Sequence, residues 1–110
     1  MVDSERHPWH TQETKELVDA MWSLKNRAEL QDFLRDLCTL GELEAMSHRW
    51  AVARELDRGR PYLEVAAKTG ASTTTVSRVA QWLHHGQGGY RVALDRLAAE
   101  RRRNGKTARG

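Results

Sequence analysis

The stretch 62-YLEVAAKTGASTTTVSRVAQWL-83 decides the fold. Its apolar residues recur at helical spacing, but a glycine and four consecutive hydroxyl side chains interrupt them. Residues 62 to 69 read as one short helix and 73 to 83 as a second, joined by Gly70, Ala71 and Ser72. Gly70 supplies a positive φ at no steric cost, and the Ser72 hydroxyl can accept a free N–H at the start of the second helix. Ala66 is the small residue where the two helices touch, and Val76 anchors the second helix six residues after the glycine. Val65, Val79 and Leu83 complete the inward set. The pattern is that of a helix-turn-helix.

The residues left on the outside of the second helix carry the chemistry. Threonine costs roughly a few tenths of a kcal/mol in helix propensity, so a helix built only to stay folded would choose other residues. Ser and Thr can bond bases or phosphates, a Thr methyl can meet a thymine methyl, and Arg can grip guanine through two hydrogen bonds. Ser72, Thr73, Thr74, Thr75, Ser77, Arg78 and Gln81 are therefore the expected DNA-binding residues. The turn from Ser72 to Thr75 enters the major groove deepest, and Ser72 also caps the helix. Taken alone, STTT would be no more than a polar cap; the surrounding Ala66, Gly70 and Val76 pattern favours DNA.

Upstream, Leu17, Val18, Met21, Trp22 and Leu24 mark a helix beginning near Gln12. Asn26 with Glu29 resembles an N-cap pair, followed by the stripe Leu30, Phe33, Leu34, Leu37, Cys38. Thr39 and Glu42 have capping-box spacing, so a third helix restarts there and runs to about Arg58 with Leu43, Met46, Trp50, Ala53 and Leu56 inward. Gly59 suits its left-handed end, and Pro61 the first turn of the next helix. Downstream, His84 and His85 close the reading helix, GQGG breaks the chain, and Tyr90, Val92, Ala93, Leu94, Leu97 and Ala98 form a last helix. No segment alternates apolar and polar residues as a half-buried strand would. The expected fold is all-α, with about six short helices. Residues 1–11 form a flexible arm, 12–100 the helical domain, and 101–110 a frayed basic tail.

Composition bounds the function. The 110 residues amount to one domain, with 30% charged and 39% apolar side chains, as in a folded soluble chain. Apolar runs fall short of a membrane span and the N-terminus lacks signal-peptide features, which places the expected protein in the cytoplasm with no membrane partner. Cys38 is the only cysteine, so neither an internal disulfide nor a cysteine zinc cage can form, and it reads as a small buried hydrophobe. Charge is divided: residues 1 to 48 hold 5 basic and 10 acidic side chains, residues 49 to 110 hold 13 basic and 5 acidic. The basic half contains the helix-turn-helix, as a polyanion partner requires, although an acidic half docking on a basic half in a dimer would use the same asymmetry.

Catalytic and metal chemistry find little support. His7, His10, His48, His84 and His85 do not sit at ligand spacing with carboxylate or cysteine, so no metal is expected. GQGGY lacks the strand and the Lys-Ser/Thr pair of a phosphate loop. Neither a nucleophile elbow nor a metalloprotease motif occurs, and an enzyme is not expected.

From Leu17 to about Leu97 the chain resembles the Trp repressor superfamily, and within it the YerC/YecD-like branch. The segments LKN, DLCT, VA, EVAAKTGASTTTVSRV and GQGGY carry the resemblance, together with the capped helix TLGELEAMSHRWAVARELDRG. It implies an intertwined all-helical homodimer whose N-terminal helices interlace and whose two reading helices lie about one DNA turn apart. It also implies a transcriptional regulator. In the Trp repressor two arginines flank the bound tryptophan; Arg49 and Arg78 resemble them and form a possible corepressor site. Val79 stands where the repressor has Gly, and Trp82 where it has a small hydroxyl residue. Both add bulk to the pocket, Trp82 as a core side chain occupying that space, so L-tryptophan is not expected as a ligand and no cofactor is assigned.

The resulting expectation is a sequence-specific, dimeric transcriptional regulator, acting as a repressor on double-stranded DNA. Arg49, Arg54, Arg58 and Arg60 are further candidates for phosphates, and Arg101, Arg102, Arg103, Lys106 and Arg109 for sequence-independent contacts. Two alternatives stay open: a helical dimerisation or protein-interaction module that does not bind DNA, and a repressor controlled by a small-molecule corepressor.

Overall fold

Four of the six helices begin where a side chain takes up an unpaired N–H group of the first turn. The computed structural model describes residues 8–109, with side chains through residue 105. Among them are six helices and no strand: α1 Gln12–Trp22, α2 Arg27–Leu37, α3 Leu40–Asp57, α4 Tyr62–Thr69, α5 Thr73–His85 and α6 Gly89–Arg109. Thr11, which the sequence reading overlooked, caps α1 by accepting the Thr14 N–H at 3.0 Å. Asn26 caps α2 through the Glu29 N–H at 2.9 Å, while the Glu29 carboxylate reaches back to the Lys25 N–H at 2.8 Å. The Thr39 and Glu42 box closes in both directions, at 3.1 and 2.8 Å.

Two boundaries differ from expectation. Pro61 precedes α4 as its cap residue, with φ −63° and ψ 152°, instead of lying in the first turn. Helix α6 continues through Arg109, where a frayed tail from residue 101 was expected. The apolar stripe does stop near Ala98, but Arg, Ala and Lys are strong helix formers that extend a helix past its buried face. Most of the N-terminal arm, residues 1–7, lies outside the described residues.

The chain divides into two units, residues 1–43 and 44–110. In the first, no described residue is buried: Trp22 is 88% exposed and Leu40 66%, and Leu17, Val18, Met21, Leu30 and Leu37 are open as well. Cys38 is half-buried at the end of α2 rather than a core residue.

In the second unit Val52, Ala53, Val65, Val76 and Val79 form a fully buried cluster, with Trp50, Leu56, Ala66, Ala71 and Tyr90 packed around it. The inward face of α3 thus includes Val52, absent from the expected set, while Met46 is exposed. Trp50 stacks on Tyr90, ring centroids 6.1 Å apart. The Arg91 guanidinium joins Asp57 at 2.9 Å and Asp95 at 2.8 Å, fixing α6 to α3.

One buried charge could not be read from the sequence. Glu55 faces inward on α3, and its carboxylate meets Arg58 at 2.7 Å and Lys68 at 3.7 Å. Arg60 Nε lies 2.6 Å from Glu55 Oε1, an ion-pair distance at an angle poor for a hydrogen bond, and Arg60 also bonds Glu64 at 2.7 Å. Burial pushes the Glu55 carboxyl up, but Lys68, Arg58 and Arg60 outweigh it and hold it below the ordinary carboxylate value. A single carboxylate therefore joins α3, the following loop and α4.

Candidate nucleic-acid interface

The corner between α4 and α5 is built as its residues dictate. Gly70 adopts φ 78° and donates its N–H to the Ala66 carbonyl at 2.9 Å. Thr69, half-buried, returns its hydroxyl to the Val65 carbonyl at 2.7 Å and accepts the Ala71 N–H at 3.2 Å. The Ser72 hydroxyl then accepts the Thr75 N–H at 3.1 Å and starts α5. Val76 and Val79 are fully buried and Ala80 and Leu83 nearly so, which sets the rotation of the helix.

That rotation leaves Thr74, Ser77, Arg78 and Gln81 exposed at spacings i, i+3, i+4, i+7, a single outward stripe with Thr73 beside it. Thr75 departs from the expected set: it is half-buried, and its hydroxyl lies 3.1 Å from that of Ser72. The cap and Thr75 are thus partly committed to one another, and the free hydroxyls are those of Thr73, Thr74 and Ser77. The first turns of α1 to α4 carry Glu13, Glu29, Glu42 and Glu64, whereas that of α5 carries no acid. Its partial positive end is not neutralised by its own side chains.

On the flank of the stripe lies an open cleft of about 330 Å³, lined chiefly by His48, Arg49, Ser72, Thr75, Arg78 and Trp82. The structure therefore brings Arg49 and Arg78 to one cavity. It also corrects two expectations about that space. Val79 lies in the core and does not line the cleft. Trp82 is 49% exposed at its edge instead of filling it as a core side chain. The sequence reading weighed His48 only as a metal ligand, although Ala45, His48 and Arg49 share one face of α3 at i, i+3, i+4 spacing and together line the cleft. Of the other arginines considered for phosphates, Arg58 and Arg60 are held by Glu55, whereas Arg54 is exposed.

With this geometry in place, relatives become informative. The profile of the Trp repressor protein family matches residues 12–98, all but the two ends. The chain belongs to the Trp repressor family. It is 41% identical over 85 residues to YerC of Bacillus subtilis, an uncharacterized protein, covering 77% of this chain and 82% of YerC. Two crystal structures share the fold. A TrpR-like protein from Eubacterium eligens matches with a TM-score of 0.76 at 43% identity, covering 82% of this chain and 93% of its own. A candidate Trp repressor from Staphylococcus aureus matches with a TM-score of 0.74 at 39% identity, covering 80% and 88%. The Trp repressor family comprises DNA-binding regulators and not enzymes. No helix among the described residues is long and apolar enough to cross a membrane.

Proposed function

We propose that the protein is a dimeric, cytoplasmic regulator of transcription that reads double-stranded DNA with α5. The observation that carries this reading is the outward stripe Thr74, Ser77, Arg78, Gln81 on a helix whose opposite face is locked into the core. A polar face of short hydrogen-bonding groups and one guanidinium suits base edges and phosphates in a major groove. A second copy supplies both the missing cover for the N-terminal helices and the second reading helix, which a two-fold operator with half-sites about 34 Å apart would receive. Selection of binding sites from random DNA with the purified protein tests the reading. Enrichment of a two-fold motif is expected, and no enrichment at low salt would remove it. Arg78→Ala then separates two roles: a loss of about 1–3 kcal/mol of discrimination at one base position if the side chain pairs with guanine, or a shallower salt slope on all sequences if it meets phosphate.

The cleft favours a second, compatible reading. Arg78 belongs at once to the outward stripe and to the cavity that Arg49 also lines, so a small anion seated there would share a side chain with the DNA-reading face. A repressor controlled by such an effector has this geometry. Trp82 stands at its edge where the Trp repressor has a small hydroxyl residue, so titration with L-tryptophan, followed by calorimetry, should show no saturable heat. Saturable binding would show that Trp82 does not exclude the indole.

A further inference from the structure

A second cationic site lies away from the reading helix, on the face where α3 and α6 run together. Trp50, Arg54 and Asp57 on α3, Arg58 in the turn just after it, and Leu94, Leu97 and Arg101 on α6 line one small groove of about 30 Å³. The spacings i, i+4, i+7 on one helix and i, i+3, i+7 on the other make it a seam of two facing stripes. Trp50, Leu94 and Leu97 give it apolar lining, and three arginines, Arg54, Arg58 and Arg101, line it as well. The one carboxylate there, Asp57, is engaged by Arg91 at 2.9 Å, and Arg58 is engaged by Glu55 at 2.7 Å. Arg54 and Arg101 are exposed, and among the described residues neither has a carboxylate partner.

We infer that this seam is a second, sequence-independent phosphate-binding site, with Arg54 and Arg101 gripping the backbone of the DNA. Like charges brought together without counter-charge repel one another, and an anion between them relieves that cost. Guanidiniums are suited to the task because their planar forks hold phosphate oxygens in pairs. The basic surface continues along α6 through Arg102, also exposed, so the site is a strip matched to a polyanion rather than a pocket for a single small ion. The inference rests on the DNA-binding reading above. It adds that affinity and base reading are carried on different helices.

The test uses the full chain and long random-sequence duplex DNA, with affinity measured across a range of salt concentrations. The Arg54→Ala/Arg101→Ala variant should keep its helical circular dichroism, and its plot of log affinity against log salt should flatten by roughly one unit per arginine lost. Arg54→Lys/Arg101→Lys should restore most of the slope. An unchanged slope in the alanine variant, while Arg78→Ala still weakens binding, would overturn the seam and leave the reading helix intact. A wild-type protein that binds no duplex at low salt would overturn both. Loss of the dimer in sedimentation, with the slope unchanged, would instead assign the seam to the acidic N-terminal half of a second copy and overturn the phosphate site.

Discussion

At the scale of single residues, Gly70 shows how little of the turn depends on side-chain packing. A Cβ built there meets nothing within 4 Å, so the cost of Gly70→Ala comes from φ 78° alone. That cost is on the order of 1–2 kcal/mol, expected as a lower midpoint in chemical denaturation without change in slope. A variant as stable as wild type would mean that the corner tolerates another conformation. Gly86 is the opposite case, since a Cβ there would run into the Trp82 carbonyl oxygen that accepts the Gly86 N–H. The need for a small residue after α5 is steric, and it holds the end of the helix close beside the cleft-lining tryptophan. The sequence made Gly70 legible because glycine between two apolar-periodic segments has few other uses. It left Gly86 merely one of several glycines in GQGG, because close approach of a carbonyl leaves no trace in local pattern.

Among the elements, legibility followed the range of the interaction. Three caps were readable because they join residues three positions apart, Asn26 with Glu29, Thr39 with Glu42 and Ser72 with Thr75, whereas Thr11 with Thr14, at the same spacing, was missed. The inward face of α3 was readable only in part. Apolar side chains surround that helix almost evenly, and the neighbours that select Val52 and Ala53 for the core come from α4 and α5. Glu55 was invisible for the same reason, since its three cations, Arg58, Arg60 and Lys68, all lie beyond the end of its helix. Its energetic role has a definite sign. The folded-state value lies below that of the unfolded chain, so the stabilisation is present above the ordinary carboxylate value, about pH 4, and is lost as pH falls through the lowered folded value. Denaturation followed over this range should show stability declining in acid, and Glu55→Gln should flatten that limb while lowering stability at neutral pH. Identical acid limbs in the two proteins would show that other carboxylates control acid unfolding.

For the whole molecule, the contrast between the two units is the main physical fact. Residues 44–110 have a closed core, whereas the described part of residues 1–43 has no buried side chain. A helix pair with so much open apolar surface has little to hold it by itself. Association should therefore couple to folding, and the melting temperature should rise with protein concentration by mass action. Sedimentation should give a dimer, and Trp22→Glu, placing a charge on the most exposed of the large apolar residues, should shift it toward monomer. A monomeric wild type with a concentration-independent melting temperature would refute the interlaced arrangement. The sequence indicated this surface through apolar stripes on short helices, but no stripe specifies its own cover.

Under the proposed association, an N-terminal unit whose described residues form no interior would also tie the lifetime of the chain to its abundance. Copies made too sparsely to meet would display unprotected greasy helices to proteases, and a chain that opens readily is cut readily. Cells holding this protein below its association threshold would clear it, while those above would retain it. The steady level of such a regulator would then respond to its rate of synthesis more steeply than in proportion.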